Sequence, residues 1–109
     1  MKSIIAAAFA VAITTSMTAV QAQDAAAAEA LMKKSGCFKC HSVSAKKDGP
    51  SYKSVAEKCK GKADAEAKLY THLTTGPTVK VDDKEERHEI LKSKDEKEIK
   101  NVVSFILSR

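Results

Sequence analysis

Cys37-Phe38-Lys39-Cys40-His41 constrains this chain more than any other stretch, because two cysteines three positions apart followed at once by histidine is the spacing of c-type haem attachment. The chemistry is geometric. Thiols at i and i+3 lie on one side of a helical turn, where both can add to the vinyl groups along one edge of a porphyrin. The next residue then brings its imidazole under the iron as proximal ligand, which assigns Cys37 and Cys40 to thioethers and His41 to the metal. Only three positions of the pattern are specified, so its weight depends on the surrounding sequence.

The N-terminus agrees with it. Lys2, the apolar run from Ile4 to Ile13 and the small-residue site Val20-Gln21-Ala22 read as a secretory signal over residues 1–22. Its removal leaves a single domain, 23–109, in an exported, periplasmic compartment. A membrane span needs about 20 apolar residues, so no stable span is expected after cleavage. A domain this small has a marginal core of its own, and a covalently fixed haem would supply much of the apolar interior. Three cysteines leave one over after any pairing, whereas a disulfide framework uses an even number. The haem reading accounts for two of them and leaves Cys59 as a small buried apolar residue.

The formal net charge of +5 drops by one when Lys2 leaves with the signal. A basic domain suits steering toward acidic proteins or anionic surfaces. Nucleic acid is a poor alternative, since the chain is exported, is only 5% aromatic and shows no recognised binding motif. Lys33, Lys34, Lys39, Lys46, Lys47 and Lys53 flank the motif in sequence and are expected to surround an exposed haem edge that docks acidic redox partner proteins. Ordinary solubility is the competing explanation, and the oligomeric state is not legible.

Helical periodicity dominates the rest. Asp24 to Lys34 reads as a helix with Asp24 as N-cap and Ala27, Ala28, Leu31 and Met32 on one side. Ser42 to Pro50 is a polar loop punctuated by Gly49-Pro50, and Ser51 to Lys58 is a short helix carrying Tyr52, Val55 and Ala56. Ala63 to Thr74 repeats Ala65, Leu69 and Leu73 every four residues and ends at Gly76-Pro77. The last helix has Ile99, Val102, Val103 and Ile106 at i, i+3, i+4 and i+7, with Ser93 and Glu96 matching a capping box. Thr75 to Lys92 is long for a bare connection, which points to a functional loop or a short extra helix, with Asp82 to Leu91 as the candidate stretch for the helix. No stretch alternates long enough to suggest a sheet, so the expected fold is all-α.

With the haem motif near the mature N-terminus, Gly49-Pro50 after it and a C-terminal amphipathic helix ending Phe105-Ile106-Leu107, the chain resembles a small bacterial class I cytochrome c across nearly all of residues 23–109. The resemblance implies one covalent haem c with its iron, terminal helices packed together around it, and a Pro50 carbonyl that accepts a hydrogen bond from the proximal His41. It also implies that the first and last helices cross where the family has a glycine and an aromatic; here Ala28 and Met32 stand there and read as core packing.

The larger departure is the distal ligand. The family supplies a methionine from the loop before the last helix, but no methionine follows Met32. His88 falls near that place, and neutral imidazole is a good iron ligand. His72 matches a family position near the haem propionates and is expected to face solvent or hydrogen-bond there. Cys59, Lys80, Lys84 or an open iron are the other choices.

The leading expectation is therefore a one-electron carrier, not an enzyme, with bis-histidine ligation by His41 and His88 and a lower potential than a methionine-ligated relative. The alternative is a haem-based binder or sensor of a diatomic gas with a labile distal site. A zinc site built on Cys37, Cys40 and His41 lacks a second closely spaced ligand pair, and a dithiol redox motif lacks its βαβ context.

Overall fold

The computed structural model describes residues 23–109, so the expected signal segment lies outside the described residues. Four helices, α1 (Ala25–Lys34), α2 (Tyr52–Cys59), α3 (Ala65–Thr75) and α4 (Glu96–Leu107), carry the fold, and α4 packs against the other three. Among the described residues, no helix is long and apolar enough to cross a membrane.

Three of the four helices begin at a side-chain cap; α3 begins at Asp64, whose carboxylate caps no amide. The Asp24 carboxylate accepts from the Ala27 amide at 3.0 Å and starts α1, and the Ser51 hydroxyl accepts from Ser54 at 3.1 Å and starts α2. The expected Ser93–Glu96 capping box is displaced. Asp95 is the N-cap of α4, accepting from Lys97 and Glu98 through one carboxylate oxygen, while the Ser93 hydroxyl turns to the Glu98 carboxylate. A carboxylate beside two free amides at the positive end of a helix dipole is the better acceptor, so the cap moves to it.

The α1–α4 crossing forms the core. Ala28 and Met32 of α1 are 1% and 0% exposed and pack in one cluster with Ile99, Val102, Val103, Phe105 and Ile106 of α4, as the periodicity requires. Burying a side chain of this size stabilises by roughly 1.5–3 kcal/mol. At the outer end the Asn101 amide clamps the α1 cap, accepting from the Asp24 N–H at 2.9 Å and donating to its carbonyl at 2.8 Å.

The expected helix over Asp82–Leu91 is absent, and a β-hairpin takes its place. Strands β1 (Thr78–Val81) and β2 (Lys84–Arg87) pair antiparallel, with Lys80 opposite Glu85 and Val81 opposite Lys84. Asp82 and Asp83 form the two-residue turn, both at positive φ, 47° and 65°. Short polar side chains tolerate that left-handed conformation, and two such residues in succession match the twist a tight hairpin needs. The fold is thus mostly helical with one small sheet.

Candidate haem site

Gly36 enters the motif in the left-handed region at φ 78°, reversing the chain as α1 ends. Cys37–Lys39 then form a 3₁₀ turn, closed by the Cys40 and His41 amides donating to the Cys37 carbonyl at 3.2 and 3.0 Å. Residues at i and i+3 of such a turn stand one above the other, so Cys37 and Cys40 share a side. Both are half-buried free thiols on the wall of one cavity of about 850 Å³. Burial pushes the Cys37 thiol above its ordinary range, partly offset by a hydrogen bond with Tyr52.

His41 is fixed from three directions. Its Nδ1 lies 2.7 Å from the Pro50 carbonyl, which can only accept, so Nδ1 carries the proton and Nε2 keeps the lone pair. Gly49 lies flat against the ring: a Cβ there would overlap Cε1 and sit 2.7 Å from Nδ1. Tyr52 stacks on the ring at 5.1 Å between centroids and is itself met edge-on by Phe38 at 6.1 Å. The Gly49 amide donates to the Cys40 carbonyl at 2.7 Å, and the Lys47 ammonium to the Phe38 carbonyl at 2.7 Å, tying the loop back onto the motif.

The hairpin delivers His88 across the cavity. The His88 amide donates to the Pro77 carbonyl at 2.9 Å, extending the ladder by one rung. Gly76, at φ 60°, ends α3 beneath it, where a Cβ would meet the His88 carbonyl at 2.7 Å. The Nδ1 of His88 lies 2.7 Å from the Glu89 carbonyl, so this imidazole too keeps its lone pair on Nε2. Burial holds the His88 pKa below its ordinary value, against an opposing pull from the Glu89 carbonyl.

The ring centroids of His41 and His88 are 6.0 Å apart. A metal about 2 Å from each of two imidazole nitrogens puts the ring centroids roughly this far apart. Two imidazoles whose Nδ1 atoms face backbone carbonyls, two thiols on one turn and an apolar wall that includes Val55, Leu69, Val102 and Ile106 fit a haem whose porphyrin supplies the remaining donors. They do not fit a zinc site. Among the described residues, no group of three or more His, Cys, Asp or Glu side chains could hold an ion alone.

His72 is half-buried and lines the cavity, with its ring centroid 4.2 Å from that of His88, and burial, then His88 and His41, lower its pKa. Cys59 is half-buried on the same wall and Lys80 reaches its edge, whereas Lys84 is exposed and does not line the cavity. Of the lysines flanking the motif, Lys33, Lys34 and Lys39 border the cavity; Lys46, Lys47 and Lys53 do not. Lys62, Lys68, Lys80 and Lys92 border it from elements remote in sequence, which spacing could not reveal.

A mostly helical domain that closes around a cavity, with an attachment turn on one wall and an imidazole on the other, defines a protein built to hold one haem. The cytochrome c family profile matches residues 25–109, and the chain belongs to the cytochrome c family. That family binds haem c covalently, with its iron. Cytochrome c-551 of Pseudomonas aeruginosa is 46% identical over 48 residues, 44% of this chain and 46% of the relative. Cytochrome c-552 of Hydrogenobacter thermophilus is 51% identical over 37 residues, 34% of this chain and 38% of the relative. The match therefore spans less than half of each of these relatives. Among solved structures, the class 1 cytochrome MtoD from Sideroxydans lithotrophicus ES-1 superposes with a TM-score of 0.76 at 53% identity, covering 80% of this chain and 97% of that one. Cytochrome c552 of Nitrosomonas europaea gives 0.57 at 25% identity, covering 73% and 96%. The fold is that of a class I cytochrome c.

Proposed function

We propose that the protein is an exported one-electron carrier, its haem c bonded through Cys37 and Cys40 and its iron held between His41 and His88. The observation that carries this reading is the 6.0 Å separation of two imidazoles whose Nδ1 atoms are both committed to backbone carbonyls. When bound, the haem supplies the redox-active iron. The chain supplies the rest.

The Pro50 carbonyl orients His41 and raises its basicity by drawing on the Nδ1 proton, and the Glu89 carbonyl does the same for His88. Burial disfavours protonation of His88, which favours the form able to donate. Two imidazoles in place of an imidazole and a thioether favour the oxidised state, so the potential lies below that of methionine-ligated relatives. Val102 and Ile106, buried on α4, keep water from the wall behind the cofactor. With His41 and His88 both committed to the iron, no position would remain for a substrate, which would suit a carrier and not an enzyme.

Residues 1–22 are the cleaved export signal in this reading, 23–109 the mature domain, and the compartment periplasmic. The lysines at the cavity rim steer acidic redox partners toward the haem edge. Mass spectrometry together with oxidised and reduced absorption spectra tests the proposal: the mature chain should carry haem that survives acid extraction, low-spin in both states and without the methionine charge-transfer band. A colourless chain at the apoprotein mass would end it. A wild-type protein that is already high-spin and binds carbon monoxide at once would favour the gas-binding alternative.

A further inference from the structure

Three backbone amides fasten the segment that carries His88. Those of His88 and Leu91 donate to the carbonyls of Pro77 and Leu73, each at 2.9 Å, and that of Lys92 donates to the Ser35 hydroxyl at 2.9 Å. The first two bonds end on backbone. The third ends on a side chain 57 residues away in sequence. Ser35 is 3% exposed, and its hydroxyl gives its own proton to the Leu31 carbonyl at 2.8 Å, which leaves the oxygen free to accept from Lys92. It closes α1 immediately before Gly36 and Cys37. One buried hydroxyl therefore joins the base of the haem-attachment turn to the chain just past the opposite imidazole.

We propose that Ser35 is a positioning residue for the distal histidine: its hydroxyl pins Lys92 to the base of the attachment turn and so limits how far His88 can withdraw from the iron. The inference rests on the reading of His88 as distal ligand. Withdrawal of the His88 backbone pulls on Leu91 and Lys92, three and four residues on, because Leu91 is buried and bonded to α3 while Lys92 is bonded to the residue that closes α1. Of these restraints, only the Ser35 bond depends on a side chain that substitution can remove while leaving every backbone partner in place.

Carbon monoxide cannot reach ferrous iron until the distal imidazole leaves, so its binding rate in the holoprotein reports how often the segment opens. Ser35→Ala should bind it roughly fivefold faster, the consequence of losing one ordinary hydrogen bond, and should stay low-spin when oxidised. Ser35→Thr keeps the hydroxyl and should bind at close to the wild-type rate. Wild-type kinetics in Ser35→Ala would overturn the proposal, as would a Thr variant as fast as the Ala variant. A purely structural serine would lower the unfolding midpoint without moving this rate, and that result also counts against it. If Ser35→Ala does not mature, amide exchange in the wild type decides: by reciprocal linkage the Lys92 amide should lose protection when carbon monoxide occupies the iron, and unchanged protection overturns the coupling. Failure of the underlying reading is separately visible, since His88→Ala would then leave the ferric spectrum unchanged and the proposal would fall with it.

Discussion

The two walls of the haem cavity are built in opposite ways. The proximal wall is local: attachment turn, Gly49, Pro50 and Tyr52 all lie between residues 36 and 52, and its hydrogen bonds close within that stretch. The distal wall is assembled from afar, through the hairpin rung to Pro77, the Leu91 bond to α3 and the Lys92 bond to Ser35. His41 is held by a carbonyl, a glycine and a stacked ring, whereas His88 has one neighbouring carbonyl and the ring of His72. Local opening starts where a segment has the fewest contacts, and the His88 ring has fewer neighbours holding it than the His41 ring. This is why carbon monoxide is expected to enter from the His88 side.

The largest expected effect falls on the proximal wall. Changing Cys37 or Cys40 to Ala should prevent stable covalent attachment, leaving an apoprotein that circular dichroism shows to be largely unfolded, because the cofactor forms much of the interior. A cooperatively folded apoprotein would break the link between haem and fold. Next comes Gly49→Ala, whose methyl group must displace the His41 ring. Denaturant titration of the holoprotein should show a loss of about 1–3 kcal/mol, the usual cost of overpacking; no loss would mean that the proximal loop is less rigid than its contacts require.

Charge reversal sharpens the comparison at the rim. Lys33→Glu or Lys39→Glu, at the cavity edge, should slow association with an acidic redox partner severalfold at low salt, while Lys53→Glu, away from it, should change the rate less. The difference should shrink as ionic strength rises. Equal effects at all three positions would assign these lysines to net charge alone. The smallest effect is distal: Asp83→Gly removes the side-chain cost of φ 65° in the turn and should stabilise by a few tenths of a kcal/mol, measured as a shift in denaturant midpoint at constant slope.

The same contrast explains what could be read from the sequence. Cys37, Cys40 and His41 are legible because their geometry is set by adjacent residues, and the faces of α1 and α4 because a 3.6-residue period forces Met32 and Val102 to the same interior. The hairpin is not legible because β1 alternates over only four residues and β2, Lys84–Arg87, is charged and exposed throughout, while its two aspartates also suit a helix start. The approach of His72 to His88 depends on how the chain after β2 returns to α3, where the Leu91 amide donates to the Leu73 carbonyl, and no local pattern records that. The displaced cap of α4 is a smaller case: Ser93 and Asp95 both make good caps, and the choice depends on which oxygen reaches two amides at once.

Paired distal variants, read by ferric absorption, test the central claim that iron is held between His41 and His88. His88→Ala should keep its covalent haem, because His41 and the thioethers remain, but should become high-spin or take up a replacement ligand and bind carbon monoxide much faster once reduced. His72→Ala should remain low-spin with kinetics near wild type. If the two variants exchange these behaviours, His72 is the ligand; if neither changes the spectrum, the pairing of His41 with His88 across the iron is contradicted.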